Sequence, residues 1–212
     1  MELKLIRALN QNEIIYTLYV KGPDKSTFLC KKKKGEIKGY IKNKKLMFNI
    51  LQQPEIEVNN IKESCTYKSA AFEVKNDAGS IYFISERRDV YNGIYYFKLE
   101  YQNSMYELYE VGLGSEGTYL CIWNSGILKG IVSRVREGQF NTYNLYSIDS
   151  LCEEVLVLSN IYWDYIRFLP DKEEPVLQTI NTCQTVIRKK FIPSFIPYIT
   201  GTLNEAHYEE EA

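Results

Sequence analysis

The chain has 212 residues, with 26 Lys and Arg, 27 Asp and Glu, and a formal net charge of -1 at pH 7. This length allows one large domain or two small ones, and the balanced charge argues against a dedicated nucleic-acid binder. The 18 tyrosines favour strands. Five cysteines without a CxxC pair, and an N-terminus that opens directly into an alternating pattern, predict reduced thiols and a cytoplasmic protein.

The first quarter of the chain has the pattern of short strands separated by polar turns. Residues 2–9 and 13–21 flank the turn Asn10-Gln11-Asn12, and residues 27–50 have room for about three more strands. Residues 51–68 are irregular and polar, which predicts a connecting segment.

From residue 69 the hairpin pattern is clearer. Turn sequences such as Asn76-Asp77-Ala78-Gly79 and Asn124-Ser125-Gly126 suit hairpins between alternating apolar segments. Strands are predicted at residues 70–74, 81–84, 94–101, 104–112, 118–123, 127–135 and 143–148. Meander-like hairpins at this spacing predict an antiparallel sheet or barrel.

Residues 150–169 predict a helix that is apolar nearly all round. With about 100° of rotation around the helix axis per residue, most of its polar residues fall in one narrow stripe. The polar stripe consists of Glu153, Asn160, Asp164 and Arg167. Ser150 followed by Glu153 is a capping-box pattern, and Pro170 supplies a stop. The charged residues argue against a membrane-spanning helix, so we expect this helix to be buried against the strands.

Residues 170–212 form a predicted C-terminal extension. A second helix is expected near residues 175–190, because its apolar residues share one face. These residues are Val176, Ile180, Cys183 and Ile187. Residues 191–199, FIPSFIPYI, are expected to be extended by their prolines, and the acidic tail is expected to be disordered.

The order of these elements carries a family resemblance. Apolar hairpins with Asp/Asn-x-Gly turns, then Tyr143-Asn144-Leu145-Tyr146 and an almost wholly apolar helix, resemble the tubby C-terminal-like superfamily. That superfamily includes the LURP-one-related proteins and the phospholipid scramblases. The resemblance covers residues 1–169, is clearest over 69–169, and is closer to the small bacterial members. It implies a mainly β fold, a closed antiparallel barrel of about twelve strands that encloses a central apolar helix.

The chain also departs from that superfamily. About 43 residues follow the predicted central helix, whereas in tubby-like domains this helix usually ends the chain. The phosphoinositide-binding residues of tubby, and the calcium and palmitoylation features of scramblases, are not recognisable, so no residue role is carried over.

No motif in the sequence predicts catalysis. Gly112-x-Gly114-x-x-Gly117 precedes a strand-like segment, whereas a dinucleotide fingerprint requires a helix there. The single histidine, His207, lies in the acidic tail, where it cannot be expected to serve a nucleophile. We therefore expect no enzyme, no metal and no cofactor.

The strongest functional candidate is a lysine-rich region that begins at Lys21, in which only Asp24 and Glu36 offset ten lysines. The candidate anion-binding residues are Lys31, Lys32, Lys33, Lys34, Lys42, Lys44 and Lys45. Lysines of this density suit an anionic membrane surface or phosphoinositide, and also nucleic-acid phosphates. The structural alternative is a solvated sheet edge, on which lysines prevent aggregation.

A second candidate lies in the C-terminal extension. Basic and aromatic residues alternate with prolines there, and the interface candidates are Arg188, Lys189, Lys190, Phe191 and Phe195. This segment could insert at a membrane interface, dock on a protein partner, or pack back onto the barrel. The polar stripe is a third place for a site, with Asp164 and Arg167 foremost.

The function that these patterns favour is a non-enzymatic binding or scaffold module. It would be cytoplasmic, peripheral to an anionic membrane surface, and would act through the lysines. The alternative is a protein-protein interaction module that acts through residues 175–199. The sequence does not determine the ligand, the partner or the oligomeric state.

Overall fold

The structure is a computed structural model. It describes residues 2–10, 13–20, 25–31, 36–41, 44–51, 71–76, 81–89, 94–112, 118–137, 140–148 and 151–168. The predictions for the connecting segment 51–68, apart from the strand residue Leu51, and for the extension 170–212 lie outside the described residues.

Strands dominate the described residues, and one helix follows them. The strands are β1 (Glu2–Asn10), β2 (Glu13–Val20), β3 (Lys25–Lys31), β4 (Glu36–Ile41), β5 (Lys44–Leu51), β6 (Ala71–Asn76), β7 (Ile81–Asp89), β8 (Ile94–Tyr101), β9 (Ser104–Gly112), β10 (Thr118–Asn124), β11 (Ile127–Glu137) and β12 (Phe140–Ser147). The helix is α1 (Glu153–Arg167).

Each strand pairs antiparallel with its neighbours in the chain, and β1 pairs with both β2 and β12. The sheet is curled, so it has an inner face, which carries Leu120, Ile122 and Val132 against α1, and an outer face on the other side. The predicted mainly β class, with an antiparallel sheet and one helix after the strands, is confirmed.

Two hairpin turns show why the sequence reverses where it does. Gln102 and Asn103 have φ values of 47° and 61°, and Ser125 and Gly126 have φ values of 50° and 80°. Two-residue turns with positive φ at both positions match the twist of the strands that they join. The turn at Asn124-Ser125-Gly126 was predicted, and Gly and Asn are the residues that adopt a positive φ most readily.

The curl is strengthened at one irregularity. The register between β10 and β11 shifts between Ile122 and Trp123, which pair with Gly130 and Leu128 respectively. Lys129 is therefore the extra residue of a bulge, and bulges increase local twist. Gly130 then faces the helix: a Cβ atom there would lie 2.7 Å from Leu151 Cδ2 and 3.0 Å from Leu156 Cδ2. Helix and sheet approach this closely because the residue has no side chain.

The helix is shorter than predicted. It begins at Glu153, with Cys152 as the N-cap in an extended conformation and without a side-chain hydrogen bond to the cap. The predicted capping box is wrong, since Glu153 is the first helical residue rather than the third. Its position in the first turn still favours the helix dipole. The helix ends at Arg167, and the Phe168 N–H donates to the Asp164 carbonyl (2.9 Å).

The helix is buried on nearly every side, as predicted. Its aliphatic side chains join those of the strands in one core, and full burial of each stabilises the fold by roughly 1.5–3 kcal/mol. Aromatic rings contribute edge contacts: Tyr162 meets Phe97 at 5.2 Å, and Trp163 meets Tyr143 at 6.0 Å. Within the part of the chain that the structure describes, the helix falls short of what crossing a membrane requires in length and apolarity.

Candidate functional site

The polar stripe of α1 is the chemically richest place among the described residues. Asn160 and Asp164 are 0% exposed, Glu153 is 9% exposed, and the side chain of Arg167 is 11% exposed. A buried polar or charged group costs free energy unless other groups bind it. The partners of these side chains therefore decide what the stripe does.

Asp164 lies at the centre of one polar network. The Tyr16 hydroxyl donates to its Oδ2 (2.8 Å), and the Tyr143 hydroxyl donates to its Oδ1. Asn141 Nδ2 and Arg7 Nη1 approach the same Oδ1 at 3.5 and 3.4 Å. Burial raises the pKa of Asp164 above its ordinary value, and the positive charge of Arg7 and these hydrogen bonds only partly oppose the effect.

This Asp164 network also holds the end of the helix. Arg7 Nη1 donates to the carbonyl of Phe168, one residue beyond α1. The Arg134 guanidinium lies 3.9 Å from the centre of the Phe168 ring and donates to Asn141 Oδ1 (3.2 Å). Strands β1, β2, β11 and β12 thus converge on the last turn of the helix.

Arg167 lies at the centre of a second network. Its Nε and Nη2 donate to the two oxygens of Glu110 at 3.1–3.2 Å, and Nη2 also donates to Glu86. Trp163 Nε1 donates to Glu110 Oε1 (2.8 Å). Burial alone would lower the pKa of Arg167, but the negative charges of Glu110 and Glu86 raise it above its ordinary value. This Arg167 network ties α1 to β7 and β9.

Asn160 differs from both neighbours on the stripe. Neither its Oδ1 nor its Nδ2 has a hydrogen-bond partner among the described residues, and the adjacent Ser159 hydroxyl has none there either. A buried amide in this state costs roughly 1–3 kcal/mol for each unsatisfied group.

Chemically, the two networks position the helix. Asp164, Tyr16 and Tyr143 are fully buried, so a substrate has no path to the carboxylate in this conformation. Burial also raises the pKa of Tyr143 well above its ordinary value, so its hydroxyl stays a hydrogen-bond donor. The arrangement suits an anchor between helix and strands.

Most partners in these networks were not identified from sequence. They are Arg7, Tyr16, Glu86, Glu110, Asn141 and Tyr143. For some of them, the alternation of inward and outward side chains along a strand could have indicated a buried charge. Arg7 shares the inner face of β1 with Leu3 and Leu5, and Glu110 shares that of β9 with Leu108. A charged residue among inward apolar residues requires a buried counter-charge.

The candidate lysines divide between two ends of β4. Lys31 pairs with Glu36 at the start of that strand, and Lys44 pairs with Ile41 at its end. The two positions are separated by the strand length of 6 residues, roughly 17 Å along the sheet. Lys45 lies beside Lys44 on β5. The remaining lysine candidates, Lys32, Lys33, Lys34 and Lys42, lie outside the described residues.

The glycine motif can be placed by the strands on either side of it. The glycine motif that starts at Gly112 joins β9 to β10, so strands flank it on both sides, as predicted. The interface candidates Arg188, Lys189, Lys190, Phe191 and Phe195 lie outside the described residues.

Comparisons with known proteins do not assign the chain to a family: no family model matches it, and neither a curated protein nor a solved structure shows significant similarity.

Proposed function

We propose that the chain is a non-enzymatic binding or scaffold module built on a tubby-like barrel of twelve strands around α1. The double pairing of β1, with β2 and β12, supports a closed barrel. The partners of the helix support a central position, because Asp164 binds side chains of β1, β2 and β12 while Arg167 binds side chains of β7 and β9.

A helix held in this way favours function at the surface. Both networks hold the same last turn of α1, and Gly130 allows the first turn to pack tightly on β11. Sliding or rotation of the helix would break buried charge pairs, each costly to separate. The interior is therefore the rigid part of the module, and binding belongs to its outer residues.

The proposed ligand is an anionic membrane surface, and the observation that carries it is the run Lys31–Lys34. Lys31 is the last residue of β3, and Lys32, Lys33 and Lys34 follow it in the sequence before β4 begins at Glu36. Each lysine near an anionic bilayer contributes about 1 kcal/mol, so a run of four supplies a few kcal/mol. The attraction requires no shaped pocket, which agrees with a connection between two strands.

The second lysine group cannot share a small ligand with the first. Lys44 and Lys45 begin β5 at the opposite end of β4. One headgroup cannot span both groups, whereas a flat surface meets one end at a time. We assign the contact to Lys31–Lys34 and use the other group as the control.

Vesicle flotation tests the assignment. The full chain is mixed with vesicles of phosphatidylcholine alone, or with added phosphatidylserine or phosphatidylinositol bisphosphate, at two salt concentrations. We expect recovery only with the anionic vesicles and a loss at high salt, because screening weakens exposed charges.

Two charge-matched variants locate the contact. Changing Lys32, Lys33 and Lys34 to Gln should reduce recovery on anionic vesicles at least tenfold. Changing Lys42, Lys44 and Lys45 to Gln should leave most of it. Equal recovery on neutral vesicles, or equal loss in both variants, would refute the proposal.

A further inference from the structure

The outer face of strands β9, β10 and β11 is apolar and buried. Seven of its side chains are between 0 and 6% exposed, and we call them the outer patch: Tyr109, Val111, Tyr119, Cys121, Trp123, Leu128 and Ile131. None of the seven belongs to the core that surrounds α1. Strand β10 is thus buried on both faces, with only its first and last residues partly exposed.

Strand pairing joins these side chains into one surface. Cys121 pairs with Tyr109 on one side and with Ile131 on the other. One row away, Tyr119 pairs with Val111 and with the buried Ser133. Residues that pair across neighbouring strands lie on the same face of a sheet. The outer patch is therefore contiguous.

The described elements do not account for this burial. An antiparallel sheet with one face in water alternates buried and exposed side chains along each strand. Every described strand lies within the sheet, and the described helix lies on the inner face. Strand neighbours alone cannot hide a tryptophan ring such as Trp123. A further layer must cover the outer patch.

Exposure returns at the borders, which limits the size of that layer. Met105 at one end is 37% exposed, and Val135 at the other end is 41% exposed. Between these borders the patch is three strands wide and about five residues long, or roughly 10 by 15 Å. One helix is roughly 10–12 Å across, so a single helix or a folded segment is enough.

We propose that residues 175–199 of this same chain cover the outer patch. The first reason is reach. Phe168 contacts Arg134, the neighbour of Ser133 at the edge of the patch. The six residues 169–174 can extend about 20 Å, enough to cross the rim of the sheet. The chain therefore leaves the helix on the inner side of β11 and only has to pass round the end of that strand to reach the outer patch.

The second reason is composition. The predicted helix 175–190 has one apolar face, and residues 191–199 add two phenylalanines and three isoleucines. Residues 52–70 are the other segment long enough to serve, but they are mostly polar and leave from β5, four strands from β9 in the pairing order. This docking concerns a different surface from the lysine run, and it would occupy the aromatic residues expected to meet a partner.

Cys121 provides a reporter for the cover. It is buried in the centre of the outer patch, whereas Cys152 is an exposed free thiol. Burial also raises the pKa of Cys121 well above its ordinary value, which slows its reaction further. Labelling with N-ethylmaleimide, resolved for each cysteine by mass spectrometry, compares the full chain with a chain that ends at residue 170. We expect Cys121 to react at least tenfold faster after truncation, with Cys152 unchanged.

Point variants of the full chain test the same contact without a deletion. Ile180→Asp with Ile187→Asp places two charges on the apolar face of the predicted helix, and Gln178→Asp with Thr185→Asp places the same charges on the opposite face. The first pair should raise the labelling rate of Cys121 at least tenfold, and the second pair should leave it unchanged. Labelling rates are compared only between chains that retain their near-ultraviolet circular dichroism, so that faster labelling of Cys121 reports loss of the cover and not unfolding.

Three outcomes would overturn the proposal. Cys121 could stay protected in a truncated chain that retains its near-ultraviolet circular dichroism, which would assign the cover to another segment. Cys121 could be labelled at the same rate in both pairs of variants. The protection of Cys121 in the full chain could also decrease when the protein is diluted, which would assign the cover to a second copy of the chain.

Discussion

Asp164 and Asn160 lie one turn apart on the same stripe, both fully buried, and their surroundings differ sharply. Asp164 receives two tyrosine hydroxyls, an amide and the guanidinium of Arg7. Neither polar atom of the Asn160 amide has a hydrogen-bond partner among the described residues. The same helical spacing places one side chain at the junction of three strands and leaves the other without a hydrogen-bond partner among the described residues.

This difference teaches that a polar stripe is not a uniform feature. Helix geometry dictates only that the stripe faces one direction. Whether each position is favourable depends on what the strands present there, and the last turn of α1 meets charged and hydroxyl side chains. The stripe therefore anchors the last turn of the helix at Asp164. One turn earlier, the unsatisfied amide of Asn160 lowers the stability of the fold.

Removing the carboxylate should have the largest effect. Asp164→Ala leaves Arg7 and the hydroxyls of Tyr16 and Tyr143 buried without their shared acceptor. We expect the free energy of unfolding to fall by about 3–5 kcal/mol, as for a buried pair that loses one member. Urea unfolding at pH 7 measures it. A loss below about 1 kcal/mol would mean that the Asp164 network does not anchor the helix.

Removing the second anchor should cost less, because the side chains of Arg167 and Glu86 are 11% and 13% exposed, whereas that of Asp164 is 0% exposed. Arg167→Met leaves Glu86 and Glu110 without their shared cation, and we expect a loss of about 2–3 kcal/mol in the free energy of unfolding. Adding Glu86→Gln and Glu110→Gln should restore part of it. A double-mutant cycle measures this coupling, and additive losses would contradict the Arg167 network.

The unsatisfied amide should behave in the opposite way. Asn160→Leu keeps the branching of the side chain and removes two buried polar groups without partners among the described residues. We expect the free energy of unfolding to rise by about 1–2 kcal/mol. Urea unfolding at pH 7 measures this change. A loss of more than about 1 kcal/mol would mean that Asn160 has a partner, and the contrast with Asp164 would disappear.

The smallest effect is a dependence on pH. Because the pKa of Asp164 is raised, the folded chain binds this proton more readily than the unfolded chain does. Its contribution to stability is greatest below the ordinary Asp pKa of about 3.9 and decreases as pH rises through the folded-state pKa. The stability difference between the unmodified chain and Asp164→Asn, measured from pH 3.5 to 7, should therefore shrink with rising pH. A growing difference would indicate that the charge of Arg7 outweighs burial.

Local features of the fold were predictable from sequence. Strands β8 and β9 have their predicted bounds, since alternation along each strand and two-residue turns depend on neighbouring residues only. The helix and its stripe follow from spacing in the same way. The helix was predicted to begin three residues too early. The prediction used the capping box, which is a local sequence pattern and contains no information about the packing of Leu151 against Gly130.

The candidate sites depended on contacts that no local pattern contains. Lys31 and Lys44 lie close in sequence, but antiparallel hairpins send them to opposite ends of β4. Arg7 and Phe168 are 161 residues apart and form a buried hydrogen bond. The burial of Cys121 on the outer face was not predicted, although Tyr119–Trp123 is a continuous apolar run, which is typical of a strand buried on both faces. No such run marks the outer faces of β9 and β11.

The sequence by itself determined the strands, the hairpin turns, the apolar helix and the direction of its polar stripe, because each follows from backbone geometry and the order of polar and apolar residues. The tertiary structure alone decided which stripe residues are satisfied, that the lysine candidates divide, and that the sheet is buried on both faces over β9–β11. These outcomes depend on which strands meet around the helix, and long-range packing sets that arrangement.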